Sequence, residues 1–258
     1  MKILSHQSAK PSHYNQEAEH YDTFNEENSR IINKTLEKIL KKYKVKTVLD
    51  LTCGTGSQVF WLKRQGFNVV GSDINANMLK IAKIKAKKEK PEIKFFKADM
   101  RKAQLGNFDT VITIFNAVGH LTKADFAKAM RNIHANLNDG GLYIFDIFNL
   151  GFLLDKDNIT TFTIDWYKQL KDTKVRIIQY STIDEQGIMA SFTTEYEQKG
   201  KEKPKISKSS QTLQVYSKEQ LCSLLEKNGF KVLTQCGIDG AKFNSKKTDR
   251  ILTIARKQ

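Results

Sequence analysis

Three aspartates could each offer a carboxylate to a ligand: Asp50, Asp73 and Asp99. Each follows a short apolar stretch, TVLDL, FNVVGSD and IKFFKAD. Between the first two lies DLTCGTGSQV, whose Gly54 and Gly56 let a ligand approach the backbone closely. Asp50 can serve the amides of that turn or a ligand ammonium. Asp73 stands where a carboxylate accepts hydrogen bonds from both hydroxyls of a ribose. Asn75 is available to cap the following helix, so Asp73 need not. Asp99 can accept from an exocyclic amine. Val59 occupies the place of the third glycine of a dinucleotide fingerprint, and no G-K-[ST] follows the turn.

These residues need elements to hold them. Ile32, Leu36, Ile39 and Tyr43 share a helical face that Asn28 or Ser29 can cap. Strand and helix then alternate: TVLDL, SQVFWLKRQ, FNVVGSD, a lysine-rich helix behind Asn75, IKFF, DTVITIF, a helix with Phe126, Met130, Ile133 and Leu137 on one face that ends at Asp139, Gly140 and Gly141, and LYIFDIF. Five such alternations predict a doubly wound α/β fold, its sheet mostly parallel and its helices on both faces. From about Thr160 to Tyr216 the period changes to two, predicting an antiparallel sheet of three or four strands. Ser217 and Gln220 make a capping box for a last helix, Gly229 its C-terminal cap, and FKVLTQC and RILTIA an antiparallel pair. The expected organisation is an arm (1–28), an α/β domain (29–150 and 217–258) and an inserted β subdomain (151–216).

A nucleoside carrying an amino acid and no phosphate satisfies the three acids and the turn, and S-adenosylmethionine is that molecule. DLTCGTG, GSDINANML and KADM together resemble the class I S-adenosylmethionine-dependent methyltransferases. The resemblance implies a seven-stranded sheet with its last strand antiparallel, and S-adenosylhomocysteine as product. It implies that Gly54 to Gly56 cradle the methionine moiety with Asp50 and Thr52 beside them. It places Asp73 on the ribose, Asp99 and the Met100 amide on adenine, Phe115 and Asn116 near the sulfonium, and Ile74 and Met78 among the cofactor-binding residues. HYDTF, ADMR, IFNAVGHL and the β-rich insert are similar to small-molecule N-methyltransferases, including those acting on amino sugars.

Tyr14 and Tyr21, seven apart in the arm, can close over the donor or pack the arm down. His120 can take a proton from an amine acceptor or stand as a hydrogen-bonded loop residue. Asp146 and Asn149 end the fifth strand, where they can face the acceptor, as can Trp166 and Tyr167 in the insert. Cys53 reads as a small buried filler, and His134 as structural or solvated. No close ligand pairing suggests a metal.

With 258 residues and a net charge of +15, the chain suits one decorated domain with a basic surface. Its lysines are scattered and its arginines few, which favours a solvated surface over a nucleic-acid site. RNA therefore stands as the alternative acceptor, although strand four continues as IFNAVG without the N/D-P-P-Y/F signature. A NAD-type oxidoreductase and a non-catalytic cofactor-binding module are the other readings. No apolar run approaches a membrane span, and three cysteines without CxxC spacing suit a reducing cytoplasm. A small-molecule acceptor and no membrane partner complete the expectation, with the oligomeric state open and a homodimer among the options.

Overall fold

In a computed structural model the described residues are 5–258 apart from 14, 16–17, 19–20, 88–91 and 157. The first helix, α1 (Tyr21–Lys42), begins well before Asn28 and Ser29, so neither caps it. Ile32, Leu36 and Leu40 are fully buried at i, i+4 and i+8, and Ile39 and Tyr43 pack beside them.

The alternation then follows as β1 (Thr47–Asp50), α2 (Ser57–Arg64), β2 (Asn68–Asp73), α3 (Ala76–Ala86), β3 (Lys94–Lys97), β4 (Phe108–Thr113), α4 (Lys123–Ala135) and β5 (Leu137–Phe148). β5 leads into a short helix, α5 (Leu150–Leu153). Four strands come next, β6 (Ile164–Leu170), β7 (Thr173–Ile183), β8 (Ile188–Lys199) and β9 (Lys205–Gln214). α6 (Lys218–Lys227), β10 (Phe230–Gly237) and β11 (Arg250–Lys257) close the chain. The capping box of Ser217 and Gln220 forms at α6 as expected.

The main sheet has the order β10-β11-β5-β4-β1-β2-β3. β1 to β5 pair in parallel, and β11 runs antiparallel to both β5 and β10. Val48, Leu49, Val111, Ile112, Ile144 and Phe145 have no exposed surface, as befits central strands covered on both faces. One apolar layer lies between this sheet and α1 to α3, a second between the sheet and α4 and α6.

Leu137 corrects the sequence reading. α4 stops at Ala135, and Leu137 opens β5 by pairing with Phe108, so the Asn138-Asp139-Gly140-Gly141 stretch is a bulge within the strand and not a helix stop. Gly140 takes φ 70°, and a Cβ on Gly141 would lie 2.8 Å from the Asn138 carbonyl.

β6 to β9 form a separate antiparallel meander. Its near end sits on a small core of Leu150, Leu153, Met189, Leu213 and Val215. That core fixes the insert above the carboxyl end of β5.

Candidate functional site

The switch point of the sheet falls where strand order reverses, between β1 and β4, and a doubly wound fold binds its ligands in the crevice there. β1 ends in Asp50, 1% exposed, followed by the glycine turn. The Cys53 amide donates to the Ser72 carbonyl (2.9 Å) and the Gly56 amide to the Cys53 carbonyl (2.8 Å), tying the turn to β2 and to itself. Gly54 and Gly56 have φ of 53° and 96°, in the left-handed region that favours glycine. A Cβ on Gly56 would also lie 2.5 Å from the Phe60 ring. Val59 is buried in the core, where the third glycine of a dinucleotide turn would let backbone approach.

The acids differ in what already occupies them. Asp50 accepts only the Thr52 amide (3.1 Å) on Oδ1, while its Oδ2 and the Thr52 hydroxyl are buried with no partner among the described residues. Burial, opposed by the Thr52 bond and reinforced by the charge of Asp73, pushes the Asp50 carboxyl up to about 8. A buried acid with an orphan oxygen is a place for a ligand cation. Asp73 accepts the Gly54 amide and the Asn75 amide, each at 2.8 Å. Burial raises its pKa although those amides oppose it. Each of its oxygens keeps lone-pair capacity for a hydroxyl.

Asp99 is held differently. Its two oxygens receive Nε (3.0 and 3.1 Å) and Nη2 (2.6 Å) of Arg101 and the Arg101 amide (2.9 Å). Burial raises this carboxyl, but the guanidinium outweighs it and leaves the pKa below the usual carboxylate range. An exocyclic amine must therefore share Asp99 with Arg101.

Asn75 caps α3 by accepting from the Asn77 and Met78 amides, and its Nδ2 donates to the Pro11 carbonyl (2.9 Å). This bond begins a roof. The Ala9 amide donates to the His120 carbonyl (2.9 Å), and Ser8 Oγ donates to Asp125 (2.7 Å) while accepting the Thr122 amide. His13 Nε2 meets Gln211 Oε1 (3.0 Å) and His6 Nδ1 meets Thr212 Oγ1 (2.9 Å), both on β9. The arm is thus sewn across the cleft to β9 and to the loop after β4.

Beneath it lies a cavity that is partly open to solvent. Tyr21, Thr52, Gly54, Asp73, Ile74, Met78, Asp99, Met100, Phe115 and His120 all line it. Burial, with His13 and His6 nearby, pulls His120 down to about 3, so its imidazole is neutral at pH 7. Arm residues Lys10 and His13, together with Arg101, line the cavity without having been expected there. The His13 ring lies 5.0 Å from that of His120. Tyr14 lies outside the described residues.

The remaining expected residues stand elsewhere, Asp50 among them: it is buried at the end of β1 and does not line the cavity. Gly56 caps α2 beneath the Phe60 ring. Asn116, 6% exposed, accepts the Phe148 amide on Oδ1 (3.1 Å). Asp146 does not line the cavity. It is wholly buried, ion-paired with Arg250, and accepts the Phe115 and Asn116 amides. Asn149 is spent on the Ser245 and Thr248 carbonyls and on capping α5 at Gly151. Trp166 and Tyr167 lie on β6 outside the cavity lining, and Tyr167 is 58% exposed. A strand-end acid, an asparagine and strand aromatics read alike in sequence whether they face a site or support it. Among the described residues no group of three His, Cys, Asp or Glu could hold a metal ion.

Known proteins bear on this geometry. Residues 48–141 match the family model for a methyltransferase domain. A glycine/sarcosine N-methyltransferase of Parasynechococcus marenigrum is 34% identical over 122 residues, 46% of this chain and 43% of the relative. The matches to curated relatives cover less than half of those proteins' lengths. A solved S-adenosylmethionine-dependent methyltransferase from Clostridium acetobutylicum superposes with a TM-score of 0.76 at 18% identity, covering 94% of this chain and 98% of that one. A sugar N-methyltransferase from Streptoalloteichus gives 0.73 at 16%, over 100% and 97%. At these identities the structures speak for the fold. Residues 48–141 are therefore similar to a methyltransferase domain, and the chain has the fold of the class I S-adenosylmethionine-dependent methyltransferases.

Proposed function

We propose that the chain binds S-adenosylmethionine under its arm and transfers the methyl group to an amine nitrogen of a small molecule. The observation that carries this reading is a left-handed glycine turn whose Gly54 lines one cleft with Thr52, Asp73 and Asp99, while the orphan Asp50 Oδ2 is buried at the foot of that turn. A cationic amino group suits Asp50, a ribose diol suits Asp73, and an adenine amine suits Asp99 and the Met100 amide. When bound, the donor supplies a methyl already activated on a sulfonium.

What the protein adds is placement and exclusion of water. The glycine turn and Asp50 hold the amino-acid end, while Met78 and Ile74 pack the nucleoside. Arm residues Ala9 to His13 roof the cleft. Neutral His120 can accept a hydrogen bond from the acceptor nitrogen, which orients its lone pair. A base this weak does not take a proton from an ammonium at pH 7, so the acceptor enters as the free amine or loses its proton to solvent. The small-molecule and amine readings draw on the glycine/sarcosine and sugar N-methyltransferases to which the chain is similar. The roofed cleft also suits a small acceptor better than RNA. The arm (1–28) acts as cover, the core (29–150, 217–258) as donor site, and the insert (151–216) braces the arm through Gln211 and Thr212 of β9. A reducing cytoplasm suits the free Cys53, Cys222 and Cys236.

The test is incubation with methyl-labelled S-adenosylmethionine and separate pools of amino acids, amino sugars and total RNA, with products read by mass spectrometry. Label in an amine supports the proposal. Label confined to RNA, or turnover in no pool, refutes it.

A further inference from the structure

Two successive non-glycine residues in the cavity region adopt a conformation side chains avoid: Phe115 has φ 64° and Asn116 φ 56°. Each such residue costs about 1–2 kcal/mol and persists only where its surroundings enforce it. Here the enforcement comes from the next strand. The Phe115 amide donates to Asp146 Oδ1 (2.7 Å) and the Asn116 amide to Oδ2 (3.2 Å). Asp146 has no exposed surface, and its Oδ2 also takes Nε (2.9 Å) and Nη2 of Arg250 on β11. The Arg250 guanidinium lies 5.3 Å from the Phe115 ring centre and 5.8 Å from that of Phe148. Gly119 seals the bend from behind, since a Cβ there would lie 2.9 Å from Asn116 Nδ2.

Fold stability alone is a weak reason for this pair, because a buried ion pair recovers little more than its desolvation cost. Its geometry suggests another task. A peptide's N–H and C=O point in opposite directions. Holding the Phe115 and Asn116 amides on Asp146 therefore turns the Ile114 and Phe115 carbonyls the other way, and both of those residues line the cavity.

On the cofactor reading above, we propose that Asp146 and Arg250 are positioning residues that aim the Ile114 and Phe115 carbonyls at the positive sulfonium of the donor. They thereby set the preference for S-adenosylmethionine over its neutral product.

The experiment is calorimetric titration of both ligands into the wild-type chain, the double variant Asp146→Asn/Arg250→Gln and the single variant Arg250→Lys, each with a melting curve. The double variant removes both buried charges together, so neither is stranded. Arg250→Lys keeps the charge and loses the fork and the stacking. The proposal expects the double variant to bind S-adenosylmethionine roughly tenfold more weakly, and S-adenosylhomocysteine less than about threefold more weakly. Arg250→Lys shifts the ratio in the same direction and carries the test alone if the double variant does not melt cooperatively. Equal losses for both ligands would mark the pair as merely structural and overturn the proposal, as would no loss. A wild-type chain that binds neither ligand removes the cofactor reading, and this assignment with it.

Discussion

Replacing Asp73 by Asn tests how one carboxylate can hold both the protein and its ligand. Oδ2 accepts the Gly54 amide and Oδ1 the Asn75 amide, both at 2.8 Å, so the residue ties the glycine turn to the start of α3. An Asn side chain has one acceptor and must turn its NH₂ toward the other amide. One charge-assisted bond is lost within the protein, at a cost of about 1–3 kcal/mol. For a chain of this size the melting temperature then falls by roughly 2–12 °C. The ribose loses one acceptor of comparable strength, about 1.5–3 kcal/mol, so the dissociation constant for S-adenosylmethionine rises roughly 10- to 150-fold. Calorimetry well below the melting temperature separates the two effects. Binding within about threefold of wild type, with the melting temperature lowered as expected, would mean that Asp73 only braces the turn and would refute the ribose assignment.

Further outcomes follow from the same contacts. Asp50, with its carboxyl pushed up to about 8 in the folded state, keeps its proton where the unfolded chain has lost it, so stability declines as pH rises through that window. His120, drawn down to about 3, works oppositely but only below the ordinary histidine range. The ligand-free melting temperature should therefore fall between about pH 6.5 and 8, and Asp50→Asn should flatten that fall; an unchanged slope in the variant would contradict the assignment. Gly56→Ala meets both φ 96° and the Phe60 ring, and should cost roughly 2–4 kcal/mol by thermal or urea unfolding, whereas Gly54→Ala meets only the backbone term. Ser8→Ala with His13→Ala removes arm bonds to Asp125, Thr122 and Gln211, and should speed donor dissociation roughly 5- to 100-fold in stopped flow. An unchanged dissociation rate would mean that the arm is not the cover.

The positions of the three acids and the glycine turn were legible because each follows a strand: β1 and β2 announce themselves by several buried residues, and β3 by its apolar IKFF although only Phe95 of Lys94–Lys97 is buried. The insert was legible from its change of period. What stayed hidden depends on contacts between distant segments. His13 meets Gln211 across 198 residues, in an arm with no periodicity to place it. Arg250 meets Asp146 across 104, which is why that acid reads as facing a ligand when it holds a backbone bend. Leu137 fits the apolar stripe of α4, and only its pairing with Phe108 shows that it belongs to β5. Arg101 follows Asp99 by two residues and was the one omission with a local signal, since such a pair can close on itself.

The most direct measurement is calorimetric titration of the purified protein with S-adenosylmethionine, S-adenosylhomocysteine and NAD in parallel. The cleft predicts saturable binding of both adenosyl ligands and none of the dinucleotide, because Val59 stands where the third glycine would admit a pyrophosphate. Binding of NAD with neither adenosyl ligand would contradict the account at its centre.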